Sequence, residues 1–152
     1  MPIVAVTGTS SSIGSRVLSA LLARDGVTSV VAVDATAYPG DTASPPAGED
    51  IKQALQGADV VVHAAWDPGA PDDQEGEISR ANLDGLARVL DAAAAVGVTR
   101  VVLLSSAAVY GAWDDNPVPI PESAPVRPNP GAAYAELMAD AERLAFEWAD
   151  DH

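Results

Sequence analysis

Pro2-Ile-Val-Ala-Val-Thr7-Gly8-Thr-Ser-Ser-Ser-Ile-Gly14 is the stretch that decides the fold. Pro2 to Val6 is a short apolar run rich in β-branched side chains, stopped by Thr7-Gly8; from Ile13 to Ala23 the apolar residues recur at helical spacing. The order is therefore strand, glycine-rich turn, helix. Such a turn brings backbone N–H groups and the positive end of the helix dipole to one place, where the paired phosphates of a dinucleotide can be seated. Glycines at a strand–helix junction also serve simply to relieve a tight turn, and the sequence alone leaves both readings open.

Working outward, Val30 to Val33, within Ser29-Val-Val-Ala-Val-Asp34, reads as a second strand. It lacks polar alternation, as expected of a parallel sheet covered on both faces. Asp34 follows Gly14 by 20 residues at the end of that strand. There it is placed to accept hydrogen bonds from an adenosine ribose, which favours NAD over NADP. Residues 35–49 are rich in Pro, Gly and small polar residues and read as loop. A short helix over 50–56 leads to a third strand at 59–63, and residues 67–76 form an acidic loop. Ile78, Leu83, Leu86, Val89, Leu90 and Ala93 fall close to one face of a long helix over 77–96, which Gly97 ends. Arg100 to Ser105 reads as a fourth strand. Prolines interrupt every period from Ala107 to Gly131, and a last amphipathic helix covers 132–149. Alternating strands and helices predict an α/β fold, a doubly wound parallel sheet of about four strands in the order second, first, third, fourth. No repeat or linker divides the chain, so one domain over 1–152 is expected.

Composition narrows the function. The 152-residue chain carries 8 Lys plus Arg against 22 Asp plus Glu, a net charge of −14. That balance repels nucleic-acid backbones and anionic membranes. There is no Cys, hence no disulfide framework and no thiolate zinc site. No basic, apolar leader precedes the first strand and no apolar run approaches a membrane span, so a cytoplasmic location is the expectation. The acid pairs Asp72-Asp73, Asp114-Asp115 and Asp150-Asp151 read as solvated charges rather than metal ligands. His63, inside a strand, reads as a core histidine.

Val6-Thr-Gly8 with Ile13-Gly-Ser-Arg-Val17, Val33-Asp34, Asp59-Val-Val-Val-His-Ala-Ala65, Asn82, Leu104-Ser-Ser-Ala-Ala-Val-Tyr-Gly111 and Tyr134-Ala-Glu136 occur in that order, each on its proper element. In these residues the chain resembles the extended short-chain dehydrogenase/reductase family of NAD-dependent epimerase/dehydratase type. The resemblance implies that Gly8 and Gly14 are the first and last glycines of the pyrophosphate turn, with Ser11 and Ile13 between them. It implies that Asp34 is the ribose-binding acid and that Ala64 and Ala65 pass under the cofactor. It further implies that Asn82 helps to order the active site, that Ser106 hydrogen-bonds the substrate, and that Tyr134 exchanges a proton with the substrate oxygen while hydride moves to or from the nicotinamide.

The pattern breaks in three places. The family's lysine, four residues after the tyrosine, holds the nicotinamide ribose and favours the phenolate; here that position is Met138, which can do neither. Met138 reads instead as filler on a core-facing stripe, and Arg143 lies off the required face. Ser11 stands where the family has its middle glycine, and its side chain either narrows the site or offers a hydroxyl to a phosphate. The residues following the last helix in the family, which complete its substrate region, have no counterpart before His152. Two functions are thus expected: a weak or partner-dependent oxidoreductase or epimerase acting on a nucleotide sugar or similar carbonyl compound, or a catalytically silent relative with a regulatory or assembly role. The open apolar edge of the fourth strand calls for a partner, and the resemblance implies a homodimer through the helices 77–96 and 132–149.

Overall fold

The computed structural model describes residues 1–33, 51–67 and 76–152. They fall into two compact units, the first within Met1–Asp67 and Asp84–Leu104, the second within Pro68–Leu83 and Ser105–His152.

The first unit is a parallel sheet of β1 (Ile3–Thr7), β2 (Ser29–Val33), β3 (Val60–His63) and β4 (Arg100–Leu103), ordered β2-β1-β3-β4 as expected. α1 (Ser12–Leu22) follows β1, and α2 (Ile51–Ala54) is a single turn before β3. The third long element, α3 (Glu77–Val96), has the predicted bounds and contributes its residues from Asp84 onward. Val4, Ala5, Val6 and Val61 of the strands are buried, together with Leu55 and the Leu86, Val89, Leu90 and Ala93 face of α3. Burying aliphatic side chains in this way supplies the main drive to fold. The registers align Val33, Thr7, His63 and Leu103 in one row across the four strands. Gly8, Ala64 and Leu104 extend that row: Gly8 N–H donates to the Val33 carbonyl (3.2 Å), Ala64 N–H to Thr7 (3.1 Å) and Leu104 N–H to His63 (2.9 Å). The carboxyl ends of the strands therefore finish level. β1 connects to β2 on one side and borders β3 on the other, which is the switch point where open α/β sheets receive ligands.

The second unit contains a 3₁₀ helix (Ala107–Tyr110) and α4 (Ala133–Asp151), which pack together. β4 ends two residues earlier than the aliphatic run implied, and the 3₁₀ turn is not among the expected elements. The proline-rich segment between these two helices is tied down by Arg127. Its N–H donates to the Val109 carbonyl (2.8 Å), and its carbonyl accepts from Trp113 Nε1 (2.6 Å). Its guanidinium lies 4.9 Å from the Trp113 ring centroid and forks onto Asp115. Asn129 Oδ1 accepts from Ala112 N–H at 2.6 Å, and Glu136 Oε1 accepts from Gly131 N–H at 2.9 Å.

Candidate functional site

The phosphate turn is built by close approach. Gly8 has φ +77°, and a Cβ there would lie 2.5 Å from the carbonyl carbon of Ala64 and from Cα of Ala65. A Cβ on Gly14 would overlap the Gly8 carbonyl. A side chain at Gly8 would force the turn away from the segment after β3, and one at Gly14 would force α1 away from the turn. Ser11 is the N-cap of α1, with φ −74° and ψ 158°, an extended conformation that costs a serine nothing. Its hydroxyl accepts the Gly14 N–H at 2.9 Å, so the side chain turns back along the helix. Ser11 N–H is held by the Gly8 carbonyl (3.0 Å) and Ser15 N–H by that of Ser11 (2.9 Å). The N–H groups of Ser12 and Ile13 have no acceptor among the described residues. Both residues are exposed. The turn therefore presents two adjacent amides at the positive end of a three-turn helix, a donor set that fits a pyrophosphate. The hydroxyl caps the helix, a role that neither sequence reading of Ser11 names.

The backbone of Ala64 and Ala65 lies directly against Gly8. Beneath them His63 is buried, and its Nδ1 shares a hydrogen bond of 2.8 Å with Thr7 Oγ1. Burial pushes the imidazole down to about 4, so it is neutral at pH 7. It is a core histidine, as read from the sequence. Trp66, which the sequence did not single out, packs edge-on against His63 (5.1 Å between ring centroids, 85°) and donates its indole N–H to the Leu104 carbonyl at 2.7 Å. Asp34, expected to bind the adenosine ribose, lies outside the described residues, as do Asp72 and Asp73.

In the second unit Ser106 caps the 3₁₀ helix, its Oγ accepting from Ala108 N–H at 3.2 Å. Its own proton has no acceptor among the described residues. Tyr134 sits in the first turn of α4, 44% exposed, its hydroxyl unbonded among the described residues. Ser105 Oγ donates to Glu142, tying the segment that carries Ser106 to the helix that carries Tyr134. Met138 is 1% exposed, on a buried stripe with Ala135, Leu137 and Ala141. The position expected to hold a lysine is thus filled by an apolar side chain that packs. Arg143 does not replace the missing cation; it is exposed and paired with Asp140 (2.9 Å) and Glu147 (3.6 Å) of its own helix. Asn82 is buried on α3.

The model of the NAD dependent epimerase/dehydratase family matches residues 4–152. A 4-hydroxy-2-methyl-3-oxo-4-farnesyl-3,4-dihydroquinoline-1-oxide ketoreductase from Stigmatella aurantiaca is 34% identical over 93% of this chain and 44% of its own length. Among solved structures, MoeE5 in complex with UDP-glucose and NAD superposes with a TM-score of 0.77 at 31% identity, covering 96% of this chain and 48% of that one. A short-chain dehydrogenase/reductase superfamily protein from Agrobacterium tumefaciens with bound NAD gives 0.76 at 29%, covering 94% and 44%. The chain spans less than half the length of each of these relatives.

Proposed function

Because the chain belongs to the NAD-dependent epimerase/dehydratase family, we propose that it binds NAD and is at most a weak or partner-dependent oxidoreductase or epimerase. The observation that carries the binding half is the turn at Gly8–Gly14, where two glycines that tolerate no Cβ leave the Ser12 and Ile13 amides open. The pyrophosphate sits on those amides, the adenosine ribose on Asp34, and the second nucleoside over Ala64 and Ala65. Asp34 sets the preference for NAD over NADP, because a carboxylate repels a 2′-phosphate. When bound, NAD supplies the hydride chemistry.

The substrate class is a carbonyl compound or a nucleotide sugar. The ketoreductase name of one relative and the UDP-glucose held by MoeE5 support it. Ser106 binds the reacting oxygen and Tyr134 moves its proton. Without a neighbouring cation, however, a phenol stays almost wholly protonated at neutral pH, and a positioned acid/base group is typically worth roughly 10²- to 10⁴-fold. Catalysis by the usual route is correspondingly weak. Asn82 helps to order these groups. The protein acts in the cytoplasm as a homodimer joined through α3 and α4.

A second reading is favoured by one observation, the burial of Met138 in an apolar stripe. A side chain so well packed suits a catalytically silent relative that keeps the fold, and with it the dinucleotide, for regulation or assembly. Isothermal calorimetry with NAD, NADH and NADP tests the common premise: micromolar NAD binding with weaker NADP is expected, and no heat with any of the three rejects it. Turnover of UDP-glucose or a β-ketoester that vanishes in Tyr134→Phe selects the enzyme; binding without turnover selects the silent relative.

A further inference from the structure

Resting on the dinucleotide site proposed above, we infer that Trp66 is a positioning residue for the redox half of the dinucleotide, setting the floor on which the nicotinamide nucleoside lies. The placement follows from strand order. The pyrophosphate lies at the end of β1, over Gly8 and the start of α1, and a dinucleotide extends from it in both directions along the carboxyl edge of the sheet. One nucleoside runs towards β2 and Asp34; the other must run over β3 towards β4. In that second direction the chain passes Ala64 and Ala65 and then bends sharply, Trp66 N–H donating to the Ala64 carbonyl at 3.2 Å. This three-residue turn aims the indole back across the sheet edge, where it reaches the Leu104 carbonyl at 2.7 Å.

Two features separate this role from ordinary packing. The Leu104 carbonyl lies just past the end of β4, and the Trp66 indole N–H is its partner. Trp66 is also only half-buried, so its ring keeps surface for a ligand while its edge rests on His63. The side chains of Thr7, His63 and Trp66 thus make a continuous run of contacts that ends on the Leu104 carbonyl and crosses the ends of β1, β3 and β4. Without the indole N–H the ends of β3 and β4 stay joined by the Leu104 N–H bond to the His63 carbonyl, but the turn at Ala64–Trp66 loses its tie to Leu104, and the loss would fall on the nucleoside that lies over that turn.

The test compares NAD with ADP-ribose, which lacks only the nicotinamide ring, on wild type and on Trp66→Phe. The Phe variant keeps an aromatic ring against His63 and loses the hydrogen bond. Calorimetry should show NAD binding weakened about five- to tenfold and ADP-ribose binding unchanged within about twofold. In wild type, excitation of tryptophan should also sensitise emission from bound NADH, and Trp66→Phe should reduce that signal. Equal weakening of both ligands marks a merely structural residue and overturns the inference, as does no weakening of either; in both cases ADP-ribose binding by wild type leaves the dinucleotide site standing. If wild type binds neither ligand, the site and the role of Trp66 fall together.

Discussion

Replacing Met138 by lysine restores the family's charged residue, yet the surroundings predict that the restoration destabilises the fold. Met138 is 1% exposed, among the buried Ala135, Leu137 and Ala141 of its helix. Glu142, one turn along the same face of α4, already accepts the Ser105 hydroxyl. A lysine sealed there is driven to its neutral form, while the unfolded chain keeps it charged with a reference value of about 10.4. Between that value and pH 7 lie about 3.4 pH units, and at about 1.36 kcal/mol each they set a ceiling of roughly 4.6 kcal/mol on the cost. Partial reach of the stem towards solvent and attraction to Glu142 should reduce this to roughly 2–4 kcal/mol. Against a typical total of about 5–15 kcal/mol the loss is large. Urea unfolding of Met138→Lys and wild type at pH 7, 8.5 and 10 measures it. The sign is fixed: the unfolded state carries the extra proton, so the deficit shrinks as pH rises towards 10. A variant that matches wild type at pH 7, or a deficit that does not move with pH, would show that the position is not sealed, and the packing explanation of Met138 would fail.

The buried imidazole of His63 is held near 4 against 6.5 in the open chain, so its stabilising share is complete above pH 6.5 and drains away as pH falls towards 4. Roughly 3 kcal/mol of acid sensitivity in that window should be absent from His63→Gln, measured as the difference between the two denaturation curves at pH 7 and pH 4.5; parallel losses would refute it. Gly14→Ala drives a methyl into the Gly8 carbonyl and should abolish NAD binding with a lowered Tm, an outcome read by calorimetry and thermal melting. Ser11→Ala removes the cap of α1 and should cost about 1 kcal/mol, whereas Ser11→Gly should cost only a few tenths in the same urea titration.

What the sequence made legible follows its periodicities. The four aliphatic runs became the four strands in the expected order, and the Leu86, Val89, Leu90 and Ala93 face fixed α3 to its terminal residues. In each case one repeated physical demand, burial of an apolar face, acts at every position and averages out local exceptions. The segment between Ala107 and Gly131 has no such repeat. Its 3₁₀ turn is held by the Ser106 cap and by Gly111 at φ +65°, and its course by Arg127 on Trp113 and Asp115. Each of those features occurs once, and the Arg127 contacts join residues 12 and 14 apart, so no periodic window of sequence carries them. Trp66 was missed for the same reason: its partner is 38 residues away.

Within the site, residues defined by backbone shape were the readable ones. Gly8 and Gly14 are required by a positive φ and by atoms that would collide, and glycine is the one residue type that meets both demands. Side-chain choices were not readable: serine at position 11 reads as narrowing the site or meeting a phosphate, and its hydroxyl instead accepts the Gly14 N–H. Met138 is the complementary case. Losing a lysine there removes the charge that would activate Tyr134, but it removes nothing from the stripe that holds α4. The turn at Gly8 rests on strand register and close backbone approach, and the setting of Ser106 and Tyr134 rests on Arg127 and on the Ser105–Glu142 bond. No interaction is common to the two lists. On the function proposed above, a change at position 138 would therefore weaken proton transfer and leave the turn at Gly8 intact, so binding and turnover are to be measured separately.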